Sequence, residues 1–595
     1  MAKFQINTFG GMIPIIPDDR LQDSNSTIAK NVNLNNGFLK LCNGFKSVNN
    51  IDYETEYKNA KTIYKYNDYW LFWSQALKVI GSPLQADKYG RIYISAKSDK
   101  EYPTVTCKDW ITSNGEPKTK VLGLPSPPEI KIESIKYVND TNKTELLITG
   151  DKVTDYVYQS ELALKTLALV DSDTIEDDLT HYYVATYVTE WGEESQPSDP
   201  VQMETVLPTW SSRLRVNYYD VSLSAYGITK MRIYRSVTST EQAEFLYIGE
   251  VEINPDTSFT YFDDTSDNLG GTTLSTENYD RPAKGLKGLT QMANGVVAGY
   301  FGRTVCFSEP YIPYAFPIEY QINTEDNVVG LASMGTNLVV CTQGTPYLFQ
   351  GTTSSTMTNA RIPVQQACLS SRSIVALDNV VIYASPDGLV GVSSNGSVDI
   401  MTKSIISREQ WQLDFKPESI IATYYDGNYI FYSNQKLYMF NTNGLIDITP
   451  RYLNDEDIEI SENNIFSFYW DKLKDDLYIG AYNNVYKFDV IKDVLFKSIG
   501  EWQSKICRLP NTSFTVAKIV GKVLEDNGEL SITVYCDNKE IIKHQGLPSR
   551  ILNRALRLPV RRGDEWQLKI TMINERPNVE ITSCCVCGSM QEINK

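Results

Sequence analysis

The sequence predicts an all-β protein: a β-propeller of about six blades that carries an inserted β-sandwich and a C-terminal β-domain. Between residues 286 and 505, a polar turn followed by a short alternating apolar strand occurs five times. The turn markers are Asn294, Thr336, Asp378, Asp426 and Asp475. Successive markers lie 42, 42, 48 and 49 residues apart, the spacing of four-stranded propeller blades. Aromatic residues make up 11% of the chain and Tyr alone counts 38, as expected for many half-buried strands.

Length and charge narrow the class of protein. At 595 residues the chain has room for about three to five domains. Its net charge of −17 means that the average surface repels nucleic acid, which argues against a protein that grips DNA. The ten cysteines are scattered, mostly inside apolar strands, which indicates reduced, buried thiols made in a cytoplasm. No apolar signal core opens the chain and no run near 18 apolar residues occurs, so neither export nor membrane insertion is expected.

Residues 1–124 are predicted to contain an N-terminal segment and the first propeller blade. The first 50 residues form an extended entry punctuated by Gly and Pro. A first blade is predicted over 61–98, from two alternating strands around an Asn-Asp turn and a third strand at 91–95. Beyond it, the prolines from Pro103 to Pro128 mark a linker, because Pro cannot serve a central strand.

Residues 125–282 are predicted to form the inserted β-sandwich. The stretch 182–189 alternates cleanly, and further strands are expected at 231–236, 245–251 and 259–264. Short strands at this spacing, separated by turn residues, are typical of a sandwich.

The remaining blades are assigned to residues 283–505, with one short amphipathic helix expected at 404–411. Residues 506–595 change character and predict a separate C-terminal β-domain. Its long alternating strands lie at 514–520, 530–536 and 566–572. This domain is also a candidate to lend the strand that closes the propeller.

The sequence offers little for catalysis. Its two histidines, His181 and His544, fall in different predicted domains, and no Gly-x-Ser-x-Gly, Walker or dinucleotide glycine pattern occurs. The acid pairs are Asp18-Asp19, Glu193-Glu194 and Asp263-Asp264. Adjacent residues in an extended chain point to opposite faces, so these pairs are interpreted as solvated turns and not as the acid and base of a glycosidase. We therefore predict no catalytic residue, no cofactor and no enzyme activity.

The densest metal-like cluster is Cys584, Cys585 and Cys587. Zinc sites usually combine a Cys-x2-Cys pair with a second such pair or with His ligands, and neither follows here. In a strand, Cys585 and Cys587 share one face and Cys584 takes the other, which makes three-way ligation awkward. We expect core thiols and no metal site.

One basic cluster is distinct from the acidic background. It consists of Arg550, Arg554, Arg557, Arg561 and Arg562. Such arginines are candidates to contact phosphates or to dock the acidic face of a neighbouring subunit, while a solvated face is the plain alternative. The leucines interleaved with them predict partial burial, which favours subunit docking over an open DNA groove.

The opening of the chain resembles a known family. Phe9-Gly-Gly is followed by Arg20 and by an Asn-rich segment that leads to Gly37-Phe-Leu. This order is similar to the opening of the tail nozzle proteins of short-tailed phages, a family also called tail tubular protein B or packaged-DNA stabilisation proteins.

Two later regions extend the resemblance along nearly the whole chain. Two segments resemble fibronectin type III-like modules: Glu190-Trp-Gly-Glu-Glu-Ser and Arg232-Ile-Tyr-Arg-Ser. Phage nozzle proteins similarly carry such an insertion between propeller blades. The Pro/aromatic loop 307–317 also resembles these proteins.

The resemblance implies a virion structural protein of the phage tail, made in the host bacterial cytoplasm. Six copies would form a homohexameric ring below portal and adaptor, enclose the DNA channel, retain the packaged genome and conduct it during ejection. The implied partners are further copies of the chain, adaptor and portal-side proteins, tail fibre or plug proteins, and duplex DNA that passes without sequence-specific binding. The sandwich would be an outward fin that contacts neighbouring tail components.

Two alternatives from other classes stay open. A carbohydrate-active propeller enzyme would need convergent carboxylates and an export signal. A receptor-binding or adhesion protein would bind a cell-surface glycan through residues 125–282.

Overall fold

The computed structural model describes residues 3–48, 60–128, 131–140, 143–148, 179–205, 211–216, 223–236, 244–253, 259–263, 271–441, 443–453, 459–461, 464–481, 484–490 and 497–593. These residues are mostly in β-strands. Their three α-helices are short: Leu223–Tyr226, Arg408–Asp414 and Pro548–Ile551. None of the described helices is long and apolar enough to span a membrane.

Six antiparallel meanders of four strands, named sheets 1 to 6 here, form the propeller-like part of the chain. Sheet 1 contains Val79–Gly81, Ile92–Ile94, Thr104–Thr106 and Lys120–Val121. Sheet 2 contains Lys287–Gln291, Val297–Phe301, Thr304–Phe307 and Gln321–Asn323. Sheet 3 contains Val328–Met334, Asn337–Thr342, Tyr347–Gln350 and Thr358–Arg361. Sheet 4 contains Val375–Ala376, Val380–Ser385, Gly388–Ser393 and Val398–Ile400. Sheet 5 contains Ile421–Tyr425, Asn428–Ser433, Lys436–Asn441 and Gly444–Asp447. Sheet 6 contains Ile465–Asp471, Asp476–Ala481, Asn484–Val490 and Gly44–Ser47.

A hairpin of two strands, Thr62–Tyr66 and Tyr69–Trp73, lies between sheets 6 and 1. Successive sheets pack through apolar clusters that draw residues from both neighbours, from sheets 1 and 2 onward to sheet 6. The series then closes, because the hairpin shares one cluster with sheet 6 and another with sheet 1. The result is a propeller-like, mostly β arrangement, as the sequence predicts.

The five turn markers confirm the repeat. Each lies in the hairpin between the first and second strands of its sheet, in sheets 2 to 6. Asp426 and Asp475 have positive φ angles of 46° and 50°, a conformation that Asp and Asn tolerate in tight turns. The predicted helix begins later than expected, at Arg408, because the Ser407 side chain caps it by accepting the Gln410 amide.

The last sheet is completed by the N-terminal segment. Gly44–Ser47 pairs with Asn484–Val490, and Phe45 packs on Phe488 with ring centroids 5.2 Å apart. The expectation that the C-terminal domain lends the closing strand is wrong, because residues 44–47 already occupy the outer edge of sheet 6.

The predicted first blade over 61–98 is also wrong. The hairpin Thr62–Tyr66 and Tyr69–Trp73 forms a sheet of its own, and Ile92–Ile94 belongs to sheet 1. The predicted linker supplies the two remaining strands of sheet 1, Thr104–Thr106 and Lys120–Val121. Pro103 precedes its strand directly, so no hydrogen bond of the ladder is lost there.

The inserted region contains two four-stranded sheets. The first has Lys143–Ile148, Lys131–Asp140, Ser211–Val216 and Phe259–Asp263. The second has Val201–Thr205, Leu179–Thr189, Ile228–Ser236 and Phe245–Glu252. Asp263 of the first sheet accepts hydrogen bonds from Tyr183 and Arg235 of the second, each at 2.7 Å. These buried bonds join the two sheets.

The C-terminal region does not stand apart as predicted. Its strands are Cys507–Ser513, Val516–Val523, Glu529–Cys536, Lys539–Gly546, Leu556–Arg557, Arg562–Asn574 and Val579–Cys587. Lys3–Ile6 pairs with Val579–Cys587, and Ser26–Lys30 pairs with Lys497–Ser504. Lys30 pairs with Asp447 of sheet 5, so the four strands of sheet 5 belong to one sheet of twelve strands. Four short strands from earlier in the chain lie beside these: Val32–Asn33, Lys40–Leu41, Arg451–Leu453 and Glu459–Ser461. One core therefore joins the N-terminal segment, the C-terminal region and sheets 5 and 6.

Candidate functional site: a basic loop beside an open sheet edge

The five predicted arginines lie within residues 550–562, which we call the basic loop. This segment runs from the short helix Pro548–Ile551, through the strand Leu556–Arg557, to the first residue of the strand Arg562–Asn574, and leucines fix it to the core. Leu552 and Leu558 are only 3% and 6% exposed, as the interleaved pattern predicts. Between them, Leu556–Arg557 pairs with the strand Val516–Val523. The loop backbone is therefore held in place while its polar side chains project outward.

Four of the five guanidinium side chains are exposed. These are Arg550, Arg554, Arg557 and Arg562, whereas Arg561 is half-buried. Arg561 lies close enough to Asp537 to contribute to the lowered pKa of that carboxyl, after the backbone hydrogen bonds from Asp564 and Glu565. No ion pair among the described residues uses any of the five. The four exposed guanidinium groups therefore present positive charge to the solvent.

An open sheet edge lies next to this loop. Lys539–Gly546 ends its sheet and pairs, in the described part of the chain, with Glu529–Cys536 alone. His544 Nε2 lies 2.8 Å from the Arg557 carbonyl oxygen and ties this edge to the loop. Lys539 and Lys543 on the same strand are exposed. We call the four exposed arginines and these two lysines the basic surface.

The basic surface combines several features of an interaction surface. Unpaired backbone N–H and C=O groups on an edge strand are a template for pairing with another chain. Val560, 83% exposed, adds an apolar contact point within the cationic loop. At the margin, hydrogen bonds from the Ser549 hydroxyl and amide, with Arg550 nearby, hold the pKa of Asp526 below its usual value.

The three clustered cysteines are core thiols. Cys584, Cys585 and Cys587 lie on the buried strand Val579–Cys587, opposite Lys3–Ile6. Burial is the main cause that raises the pKa of Cys587 to about 12. No group of three or more His, Cys, Asp or Glu side chains that could hold a metal ion occurs in the described ranges.

The two histidines do not meet. His181 is 6% exposed in the inserted region, where its ring centroid lies 6.4 Å from that of Tyr183. His544 lies on the open edge described above. Among the residues that the structure describes, no Ser–His–Asp arrangement forms around either histidine.

The interpretation of Glu193-Glu194 as a solvated turn is wrong. Glu193 is 5% exposed and binds two cations of sheet 1: Arg91 Nη1 at 2.9 Å and Lys120 Nζ at 3.1 Å. Arg91 Nε also binds Asp87 at 2.8 Å. The Lys120 ammonium lies 3.4 Å from the centroid of the Trp191 ring. We call Asp87, Arg91, Lys120, Trp191 and Glu193 the latch, because it fixes the inserted region to sheet 1.

Glu194 points away from Glu193, as expected for neighbours in an extended chain, and is also buried. Its carboxylate accepts hydrogen bonds from Thr186 and Tyr234, each at 2.6 Å, and from Arg232 at 2.7 Å. Asp263 is buried too, in the bonds that join the two sheets of the insertion, and Asp264 lies outside the described residues. Asp18 is exposed and fits the predicted solvated turn. Asp19 instead forms an ion pair with Arg508 at 3.1 Å.

The Pro/aromatic loop 307–317 is largely packed inward. Phe307 and Phe316 are buried, and the Tyr314 hydroxyl accepts the Glu194 amide at 3.4 Å. Tyr311, 51% exposed, is the large hydrophobic side chain of this loop that faces solvent. The loop thus supports the attachment of the insertion more than an external contact.

Comparisons with known proteins give structural likeness only. No family model matches the chain, and no curated protein matches it. Among solved structures, BamB from Moraxella catarrhalis is similar over 52% of this chain and 91% of its own, with 10% identity and a TM-score of 0.23. The Cps50 (Swd1) β-propeller domain of Myceliophteria thermophila is similar over 46% and 89%, with 7% identity and a TM-score of 0.21. The WD40 β-propeller domain of Doa1 is similar over 47% and 90%, with 9% identity and a TM-score of 0.19.

Proposed function

We propose that this chain is a tail nozzle subunit of a short-tailed phage, a virion structural protein without enzyme activity. In this proposal, sheets 1 to 6 and the hairpin at 62–73 form one closed propeller of seven sectors. The inserted region is a fibronectin type III-like fin. Several copies, most simply six, form a ring around the DNA channel below portal and adaptor.

The observation that carries the proposal is the order of the units along the chain. The two-sheet insertion lies between sheets 1 and 2, within the propeller-like series, and a β-region that includes the N-terminal strands follows sheet 6. This is the order that the resemblance to nozzle proteins implies. The latch supports the same proposal, because a fin that transmits contacts to neighbouring proteins needs a rigid attachment.

The basic surface gives the ring a means of assembly. A ring of identical subunits needs two different, complementary patches on each copy. The chain carries a net charge of −17, so the basic surface of one copy finds its complement on the acidic surface of the next. Electrostatic attraction of this kind sets orientation and partner choice. The remaining acidic surface suits a channel wall along which duplex DNA slides without condensing.

Protein composition of purified phage particles tests the proposal. Quantitative mass spectrometry, referenced to the portal subunit, is expected to give about one copy of this chain per two portal chains, as for a six-fold ring on a twelve-fold portal. Absence from particles would overturn the structural role and favour the adhesion or enzyme alternatives.

A charge reversal tests the assembly surface separately. The double variant Arg554→Glu, Arg557→Glu is expected to lose self-association in sedimentation velocity at low salt, while its unfolding midpoint stays unchanged because both side chains are exposed. Lys403→Glu, an exposed residue outside the basic surface, is the matched control. Equal self-association by the unaltered protein, the double variant and Lys403→Glu would exclude the basic surface as the subunit contact.

A further inference from the structure

An open cleft of about 490 Å³ lies where the chain enters and leaves the inserted region. The connection from sheet 1 lines this cleft at 124–126, and the return to sheet 2 lines it at 280–284. Further walls come from Tyr102, just ahead of a strand of sheet 1, and from Ile318, which begins the 3-10 helix Ile318–Tyr320. Small-molecule sites are clefts of about 300–1,000 Å³ and occur preferentially between domains, so both the size and the place of this cleft suit a ligand.

Two cations of the cleft converge on one aromatic ring. The guanidinium carbon of Arg281 lies 4.7 Å from the centroid of the Tyr102 ring, and the ammonium nitrogen of Lys284 lies 5.4 Å from the same centroid. Cations within about 6 Å of an aromatic ring are attracted to it. Although both residues are exposed, the ring therefore holds their charges at one wall of the cleft.

The protein leaves these two charges without a counter-charge. No ion pair in the described ranges involves Arg281 or Lys284. The one hydrogen bond of the Arg281 side chain within those ranges leaves from Nη1, to the Tyr226 hydroxyl at 3.5 Å, so its Nε and Nη2 groups keep their donors. Asp280 is the one carboxylate among the described lining residues, and its Oδ2 accepts the Ile318 amide at 3.0 Å.

Much of the remaining wall is apolar. The residues concerned are Leu124, Pro125, Pro282, Ala283 and Ile318. The Ile318 side chain is 65% exposed, and covering it with a hydrocarbon group removes apolar surface from water. The cleft thus offers two cations and an apolar surface within one small volume.

We propose that this cleft binds an organic anion that carries two carboxylate groups on a short hydrocarbon body. Arg281 takes one carboxylate through its planar fork, which matches the two oxygens, and Lys284 takes the other. The hydrocarbon body lies against the apolar wall, which an inorganic anion cannot use. A free dicarboxylate and a pair of acidic side chains on a partner chain share this chemistry. The cleft lies outside the basic surface, so binding does not depend on ring assembly.

Equilibrium dialysis of the whole chain against radiolabelled glutarate, at pH 7 and constant ionic strength, tests the cleft. The unaltered protein is expected to bind glutarate saturably. Lys284→Gln and Arg281→Gln should each weaken binding about tenfold, because each removes one charged partner of a carboxylate. The matched controls Lys403→Gln and Arg303→Gln change exposed residues outside the cleft and should bind like the unaltered protein. All four positions are exposed, so the unfolding midpoint should stay unchanged.

Competition against the labelled glutarate then identifies the class and source of the ligand. Butyrate has one carboxylate and inorganic phosphate has no hydrocarbon body, so each should compete about tenfold more weakly than unlabelled glutarate. A capped peptide with two glutamate side chains distinguishes the sources: stronger competition than glutarate assigns the cleft to a partner chain, and weaker competition assigns it to a free dicarboxylate. Phosphate that competes as well as glutarate would contradict the assigned class. No saturable binding of glutarate, or equal binding by the cleft variants and their controls, would overturn the proposal.

Discussion

The latch offers the sharpest test of how the inserted region is attached. Glu193→Gln replaces the carboxylate by an amide of nearly the same shape. The variant leaves Arg91 paired with Asp87, while Lys120 loses its ion pair with Glu193 and keeps only the more distant charge of Glu190. The side chains of Arg91, Glu193 and Lys120 are 8%, 5% and 3% exposed, so solvent cannot replace the lost charge.

The magnitude follows from this burial. Removing one partner of a buried ion pair costs about 3–5 kcal/mol, because the remaining charge is left uncompensated. An exposed pair contributes about 0–1 kcal/mol. Lys97 and Glu116 form such a pair near sheet 1, with side chains 33% and 48% exposed. Glu116→Gln is therefore the matched control, with the same chemical change at an exposed position.

Urea unfolding monitored by tryptophan fluorescence measures both effects. Trp191 lies on Lys120 in the latch and is one of nine tryptophans, so the fluorescence change reports on unfolding of the chain as a whole. Hydrogen exchange of the amides at 187–195 shows whether the destabilisation is local. A loss below about 1 kcal/mol for Glu193→Gln, or an equal loss for Glu116→Gln, would refute the account of a buried latch.

Three further outcomes are expected. Trp411→Ala should lower the free energy of unfolding in urea by about 3–5 kcal/mol, because the ring is fully buried and its Nε1 donates to the Ser385 carbonyl at 2.8 Å. Leu413 on the same helix is 75% exposed, so Leu413→Ala should change this free energy by no more than about 0.5 kcal/mol. Burial raises the pKa of Cys306 from 9.0 to about 12. Between these two pH values the thiol ionises in the unfolded chain and not in the folded one, so the stability that the buried thiol contributes is complete below pH 9 and is lost as the pH rises toward 12. A Cys306→Ala variant should therefore show a flatter decline of the urea midpoint over that pH range. Ellman's reagent should modify Cys507 first in the native protein, since the other nine cysteines are buried, and rapid modification of several thiols would contradict this packing.

The repeat could be predicted because it depends on local signals in the sequence. The markers at Asn294, Thr336 and Asp378 are turn residues whose chemistry acts within a few positions, and they fall in equivalent hairpins of successive sheets. The N-cap of the helix at Arg408–Asp414 is local as well. Similarly, leucines between arginines predicted that the basic loop is anchored, and Leu552 and Leu558 are buried.

Long-range pairing was beyond the reach of the sequence. The strand Gly44–Ser47 reads like any short strand, and nothing near it indicates that Ser47 pairs with Tyr486. For the same reason, the hairpin at 62–73 and the strand Ile92–Ile94 were assigned to one blade although they belong to different sheets.

The latch was missed for a related physical reason. Adjacent carboxylates in an extended chain do point to opposite faces, but both faces are covered at Glu193 and Glu194. The partners of Glu193, Arg91 and Lys120, are 102 and 73 residues away in the chain. A buried carboxylate is recognised by its counter-charges, and these come together only through the tertiary fold.

Electron cryomicroscopy of intact phage particles from the source culture tests the central proposal most directly. The account predicts a six-fold ring below the portal in which each subunit fits the propeller-like series, with the insertion pointing outward and the basic surface at the contact between copies. Density for this fold at fibre tips alone, or its absence from the particle, would contradict the account.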